Sequence, residues 1–192
     1  MAWLDFLTYA FITAATPGPN NLMSLSNAGR LGFHRAMPFN LGILTGFSIV
    51  MVACTLLCNL LSSALPQIER PMRFLGAAYM LYLSWKALKN SAGIADAGGV
   101  SGFWTGFLMQ FVNAKIYIYC IVSMEAYVLP HYAGHAPQLM GFALLLSLIG
   151  FMCTLCWAGF GAWFRLIFSR YAKATDEVMA LLLLYCAVSL LL

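Results

Sequence analysis

The chain has 192 residues, of which 62% are hydrophobic and only 8% are charged, whereas soluble domains carry about 25% charged residues. A water-soluble fold of this length would leave roughly a third of its chain surface exposed, and most of that surface would be hydrocarbon. The composition therefore excludes a soluble protein, and the modest net charge of +4 gives no reason to expect a nucleic-acid partner.

The long uncharged runs predict an all-α integral membrane protein with six transmembrane helices, because a helix needs about 20 apolar residues to cross the bilayer core. The first run lacks the basic segment that opens a signal peptide, so we expect it to be retained as a span. The six predicted spans cover residues 3–28, 37–65, 72–88, 103–128, 139–164 and 174–192.

The basic residues predict the orientation, because short cytoplasmic loops are enriched in Lys and Arg. Seven of the ten basic residues follow the first, third and fifth spans, and only Arg70 and Arg73 lie on the other side. The tenth, Lys115, falls inside the fourth span. Both termini are therefore expected to face away from the cytoplasm.

A segment rich in Gly, Ala and Ser, at about residues 89–102, is typical of a flexible linker, and the orientation makes it cytoplasmic. It divides the chain into two halves, about 1–90 and 101–192, with three spans in each. An odd number of spans per half places the halves in opposite orientations, which is the arrangement of an inverted repeat. We predict one transmembrane domain over 1–192, built from two inverted three-helix repeats.

Two pairs of glycines predict where helices pack closely. Gly42 and Gly46 are four residues apart in the second span, and Gly102 and Gly106 have the same spacing at the start of the fourth. This spacing allows two helix backbones to approach each other. We therefore predict close helix contacts at both pairs.

The first span contains the sequence Thr-Pro-Gly-Pro-Asn-Asn at residues 16–21, about halfway along the run. Pro17 and Pro19 have no amide proton, so carbonyl groups one turn earlier lose their helical donors, and Gly18 adds backbone freedom. The helix is predicted to break here. Thr16 is a suitable N-cap and Pro17 a suitable first residue for a second half-helix, whose positive dipole end would lie at mid-membrane.

A second polar cluster, Gln110, Asn113 and Lys115, lies a similar distance into the fourth span, which enters from the opposite face. The two clusters are expected to meet near the bilayer centre. A half-helix N-terminus suits the carboxylate of a free amino acid, while freed carbonyl groups and asparagine side chains suit its ammonium. Lys115 adds either a positive charge or a proton carrier, since a charge inside a membrane is costly and usually functional. The predicted substrate-binding residues are Thr16, Pro17, Gly18, Pro19, Asn20, Asn21, Gln110, Asn113 and Lys115.

Cysteines and histidines leave an alternative open. Cys153 and Cys156 form a CxxC pair in the fifth span, which would suit a membrane-embedded thiol oxidoreductase, although small thiols also pack well among apolar side chains. His131 and His135 would bind a metal only with two further ligands. We expect no metal and no catalytic residue, and the main hypothesis is a carrier rather than an enzyme.

The motifs Thr-Pro-Gly-Pro-Asn at 16–20 and Val-Asn-Ala-Lys at 112–115 resemble those of the lysine exporter and homoserine/threonine resistance (LysE/RhtB) family of amino-acid efflux proteins. Gly-Ala-Ala-Tyr at 76–79 and Gln-Phe-Val-Asn at 110–113 are similar to its cysteine and O-acetylserine exporters. Many family members have Asn-Pro-Lys in the fourth span, where this chain has Ala114 in place of proline. The resemblance therefore leaves open whether the fourth helix is also broken at mid-membrane.

The resemblance implies a multi-pass carrier in the bacterial inner membrane, with both termini periplasmic under the predicted orientation. It implies secondary-active export of small neutral amino acids or derivatives, most closely cysteine and O-acetylserine. The driving force would be a proton gradient or the membrane potential, with no cofactor. The expected partners are the amino-acid substrate and the lipid bilayer, and assembly into a homo-oligomer is left open.

Overall fold

The computed structural model describes residues 2–57, 102–164 and 170–191, and four helical pairs at 74–75, 77–78, 81–82 and 84–85. All regular structure in these residues is helical. Most of the third predicted span and the linker at 89–101 lie outside the described residues. The helices are α1 (Trp3–Ala15), α2 (Pro19–Leu31), α3 (Phe33–Leu56), α4 (Phe103–Val112), α5 (Ala114–Ser123), α6 (Leu129–Tyr132), α7 (Ala136–Trp163) and α8 (Ala172–Leu191), with a π-helical turn at Met124–Val128 between α5 and α6.

Several of these helices have the length and composition of membrane spans. Within the described residues, α3 and α7 are each long and apolar enough to cross a membrane, and α4 with Ala114–Tyr132 meets the same criterion as one span bent by 62°. Large apolar side chains such as Leu4, Trp104 and Trp163 are exposed on the outside, which suits lipid and not water. The architecture agrees with the predicted all-α membrane protein, whereas the six-span count stays a prediction.

The junction between the first two predicted spans is shorter than expected. The sequence prediction left residues 29–36 as a loop, but helix continues on both sides and only Gly32 interrupts it. Its φ of 85° lies in the left-handed region that glycine adopts without strain. The prediction failed because it ended each helix where the apolar run ended, whereas Arg30 and Arg35 extend α2 and α3 beyond it.

Glycines bring α3 and α4 into backbone contact. At Gly42 a Cβ atom would meet the Phe103 carbonyl oxygen, at Gly46 it would lie 2.6 Å from a carbonyl oxygen of α4, and at Gly106 it would meet the backbone of α3. The predicted close packing is confirmed at these three positions and is wrong at Gly102, where nothing lies within 4 Å. Gly102 is the N-cap of α4, so it precedes the helix contact.

The largest apolar cluster lies where α1, α3, α5 and α7 meet. Phe6, Met51, Cys120 and Leu146 supply one fully buried side chain from each of these helices. Between apolar helices in lipid, such packing is stabilised by van der Waals contact rather than by exclusion of water. The cluster holds α1 beside α5. The first of two breaks in the chain follows α1, and the second precedes α5.

Candidate functional site

The first helix break lies between α1 and α2. Gly18 is the N-cap, with an extended backbone (φ −170°, ψ 176°), and Pro19 is the first residue of α2. The break was predicted, but the prediction of Thr16 as N-cap and Pro17 as first helical residue is wrong by two positions. A residue that precedes proline is disfavoured in the helical region, so Gly18 stays extended and the helix begins only after it.

The carbonyl groups that the helix break leaves without backbone donors accept hydrogen bonds from side chains. Asn21 Nδ2 donates to the carbonyl oxygens of Ala14 and Thr16, both at 2.9 Å. Trp157 Nε1, on α7, donates to the Ala15 carbonyl oxygen at 3.1 Å. In this structure these carbonyl groups therefore already have side-chain donors, as expected for backbone groups freed at a helix break inside an apolar bundle, and a substrate ammonium would have to share or replace them.

The second helix break is made by Asn113 without a proline. Its backbone leaves the helical region (φ −87°, ψ 91°), and its side-chain oxygen accepts a hydrogen bond from the Lys115 amide nitrogen at 3.2 Å. This is N-capping, in which a short polar side chain replaces the backbone acceptor that the first turn lacks. The fourth span is therefore also broken, which the sequence had left open, and Ala114 is the first residue of α5.

The side chains at the two breaks are joined to each other, as the sequence predicted. Asn20 Nδ2 donates to Gln110 Oε1 at 2.8 Å, and Gln110 Nε2 donates to Asn20 Oδ1 at 3.2 Å. Asn113 Nδ2 also donates to Asn20 Oδ1, at 3.3 Å. Gln110 is fully buried and Asn113 is nearly so. These bonds satisfy amides that would otherwise be costly in an apolar interior.

Lys115 reaches across from the second break to the first. Its Nζ atom donates to the Thr16 carbonyl oxygen at 3.0 Å and to the Thr16 hydroxyl oxygen at 2.8 Å. The ammonium therefore lies at the C-terminal end of α1, where the helix dipole favours a positive charge. Gly18 leaves room for the lysine chain, since a Cβ atom there would be 3.3 Å from Nζ.

A cavity lies beside these groups, with about 400 Å³ of empty volume including its open mouth. Six of the nine predicted site residues line it: Gly18, Pro19, Asn20, Asn21, Asn113 and Lys115. The other three stand behind or beside the wall. Thr16 holds the Lys115 ammonium, Gln110 is buried behind Asn20, and Pro17 is exposed. No Asp or Glu side chain of the described residues lines the cavity.

Sequence reasoning missed the part of the cavity wall formed by α3, α5 and α7. Thr154 Oγ1 donates to Asn21 Oδ1 at 3.2 Å, and the ring of Phe47 lies where a Cβ atom at Gly150 would be. Thr154 is a polar residue within the apolar fifth span, and this was a sequence signal for its contact with Asn21. No sequence signal could have identified the contact between Phe47 and Gly150. The lining residues not predicted are Thr13, Ala14, Phe47, Ile116, Tyr119, Gly150 and Thr154.

The cysteine pair and the two histidines are not among the residues that line the cavity. Cys153 and Cys156 are free thiols one turn apart on α7, the first buried and the second exposed. His131 and His135 are exposed. The described part of the chain contains no group of three or more His, Cys, Asp or Glu side chains that could hold a metal ion.

Comparison with known proteins gives one family and several close relatives. The model of the family described as LysE type translocator matches residues 11–192. The Cysteine/O-acetylserine efflux protein of Salmonella typhimurium is 39% identical over 184 residues, which cover 95% of this chain and 94% of the relative. The protein of that name from Escherichia coli is 38% identical over 186 residues, with the same coverage of both chains. No solved structure matches.

Proposed function

The chain belongs to the LysE translocator family, and from that premise we propose that it is a secondary-active exporter of cysteine, O-acetylserine and similar small neutral amino acids across a bacterial inner membrane. It is a transporter and not an enzyme. The hypothesis of a thiol oxidoreductase using Cys153 and Cys156 has no support from the family and is abandoned.

The observation that carries the proposal is the meeting of two broken helices beside one cavity. The N-termini of α2 and α5, at Pro19 and Ala114, bring two positive dipole ends to the same place, and these suit a carboxylate. The C-terminal end of α1, at Thr16, supplies the opposite polarity and already holds an ammonium group, that of Lys115. The site therefore offers both complements of a zwitterionic amino acid.

The remaining wall favours a short side chain. Phe47, Ile116 and Tyr119 also line the cavity, and Phe47 is held against Gly150. An apolar surface of this kind accommodates a thiol or a small ester and gives no partner to a charged side chain. Cysteine and O-acetylserine, named for the relatives, have such side chains.

The membrane arrangement that we propose has six spans in two inverted repeats, about 1–90 and 101–192, joined by a cytoplasmic linker, with both termini in the periplasm. The distribution of Lys and Arg along the sequence supports this orientation. Exchange of a zwitterion for one inward proton would use about 2.3 kcal/mol per 100 mV of membrane potential, which is enough for roughly a fiftyfold gradient. A homo-oligomer is compatible with the proposal and is not required by it.

Transport in proteoliposomes tests the proposal. The purified chain should exchange radiolabelled O-acetylserine or reduced cysteine against the same unlabelled amino acid across the vesicle membrane. Lysine and glutamate, whose charged side chains the wall does not suit, should exchange poorly. The Gly42→Leu variant serves as the inactive control, because a leucine side chain there would push α3 away from α4. Equal exchange of all four amino acids would contradict the proposed substrate class.

A further inference from the structure

We propose that the Lys115 ammonium occupies, in the empty carrier, the acceptors that the substrate ammonium requires, so that a substrate and a protonated Lys115 exclude each other. Lys115 would thereby couple export to a proton. This inference rests on the proposed function and deepens it, because it assigns the coupling step to one side chain of the same site.

The first support is the identity of the chemical groups. Lysine and a free amino acid both end in a primary ammonium, and the Lys115 ammonium makes two short hydrogen bonds to Thr16, at 2.8 and 3.0 Å. Thr16 ends α1, so its carbonyl group is at the negative end of that helix. A substrate whose carboxylate lies against the N-termini of α2 and α5 would direct its own ammonium to the same acceptors.

The second support is the charge around the cavity. The titratable side chains that face Lys115 are the thiols of Cys153 on α7 and Cys186 on α8, and the Tyr119 phenol on α5 lines the same cavity. The described residues of α1, α2 and α3 contribute no titratable group to the lining. The described lining supplies no carboxylate to balance them, and the substrate carboxylate is held at the N-termini of α2 and α5, so two ammonium groups at Thr16 repel each other. Binding of the substrate ammonium at Thr16 therefore disfavours a protonated Lys115 there, and a protonated Lys115 disfavours binding of the substrate.

Exclusion of this kind produces exchange by proton transfer at one nitrogen atom. When a substrate enters from the cytoplasm, Lys115 leaves Thr16 and its Nζ atom releases one proton to the cytoplasm. When the substrate departs to the periplasm, Nζ takes up one proton from that side and returns to Thr16. One N–H bond is broken and one is formed in each cycle, so one proton moves inward for each amino acid exported.

Binding at several pH values tests the exclusion directly. Radiolabelled O-acetylserine is bound to purified protein between about pH 5.5 and 7.5, a range in which amino-acid carboxylates stay ionised. The natural chain should bind up to about tenfold more tightly per pH unit as pH rises, since one proton competes with the substrate. Lys115→Met should bind at least as tightly as the natural chain at pH 7.5, with no pH dependence.

Lys115→Arg is the matched variant, because a guanidinium stays protonated throughout this range. It should bind weakly at every pH, since the substrate must displace a charge that cannot be neutralised. In proteoliposomes both variants should fail to accumulate O-acetylserine against its gradient when a pH difference is imposed. Lys115→Met should still exchange substrate for substrate, because that reaction needs no proton.

The outcomes separate this inference from the proposed function. No exchange of any amino acid by the natural chain would remove the proposed function, and the inference with it. Exchange by the natural chain, with binding lost at all pH values in Lys115→Met, would make Lys115 a simple carboxylate ligand and overturn the exclusion. Accumulation by Lys115→Met that still follows the pH difference would also overturn it. If Lys115→Met does not elute as a monodisperse protein, tight binding by Lys115→Arg at low pH is the overturning result.

Discussion

The two helix breaks bring similar groups to one cavity by different physical means. In the first, Pro17 and Pro19 remove two amide donors within three residues, and the residue before each proline is disfavoured in the helical region, so the helix breaks. In the second, every residue could be helical, and Asn113 ends α4 by offering its side-chain oxygen to the next turn. The first break is fixed by covalent structure, whereas the second depends on a hydrogen bond that competes with the helix.

This difference indicates how the site responds to its occupant. A break fixed by proline keeps its geometry in every state of the carrier. A break held by one capping bond can change when its neighbours move, and Asn113 is bonded to Asn20 of the other break. Four experiments test this comparison, from the largest expected effect to the smallest.

Replacing both Pro17 and Pro19 with Ala should let the first span run as a continuous helix. The carbonyl groups that now bind Asn21, Trp157 and Lys115 would regain backbone donors, and the exposed amides at the start of α2 would disappear. Substrate affinity should fall by about 1 to 3 kcal/mol, roughly 5- to 150-fold, in a protein that still unfolds cooperatively in detergent. Equilibrium binding of O-acetylserine measures this.

The matched control is Pro38→Ala, since Pro38 lies inside α3, is exposed and does not line the cavity. It should leave affinity unchanged. Normal affinity in the Pro17 and Pro19 double variant would mean that the prolines only bend the helix and that the first break is not part of the site.

Replacing Asn113 with Leu removes the N-cap of α5 and one bond to Asn20. We expect the free energy of unfolding to fall by about 0.5 to 2 kcal/mol, which is the usual cost of losing a cap, and we expect the affinity for O-acetylserine to fall with it. Asn113→Ser should recover most of the stability, because serine is also a good N-cap. Equal instability of the Ser and Leu variants would show that capping does not hold the second break.

Asn20→Ala, Gln110→Ala and the double variant measure the link between the breaks. If the two amides stabilise each other as their paired bonds indicate, the coupling energy in a double-mutant cycle of unfolding should be about 1 kcal/mol. Additive effects, with a coupling near zero, would mean that each break is held independently of the other.

Replacing Ala114 with Pro makes the second break resemble the first. Proline is favoured at the first position of a helix, and the extended backbone of Asn113 is compatible with a following proline. We expect transport to be unchanged and the free energy of unfolding to rise by about 0.4 to 1 kcal/mol, through a less flexible unfolded chain. Lower stability would reveal a clash between the proline ring and the buried surroundings of Ala114.

The sequence predicted the parts of the site that depend on local chemistry. Prolines without amide protons predicted the first break, and Asn20 and Gln110 were among the residues expected to meet. The second break was left open, because Ala114 stands where many family members have proline. The start of α2 was predicted at Pro17 and lies at Pro19. This error was also local, because a residue before proline, here Gly18, is disfavoured in the helical conformation and the prediction ignored this.

The parts that could not be predicted depend on how whole helices are rotated about their axes. Thr154 and Phe47 line the cavity because α7 and α3 are rotated so that these two residues are on the side of the cavity. Trp157 could not be placed against the Ala15 carbonyl group for the same reason. An apolar span in lipid gives few clues to its inward face, since hydrophobic side chains cover both faces.

The glycine contacts between helices have a mechanical consequence. Gly42 and Gly106 hold α3 against α4, and Gly161 holds α7 against the backbone of α2 at Leu25. Helix backbones in such close contact cannot slide past each other, because sliding would push a carbonyl oxygen of one helix into the backbone of the other. Each helix pair should therefore move as a stiff lever, and the break at Asn113, which one capping bond holds, is left to act as its hinge.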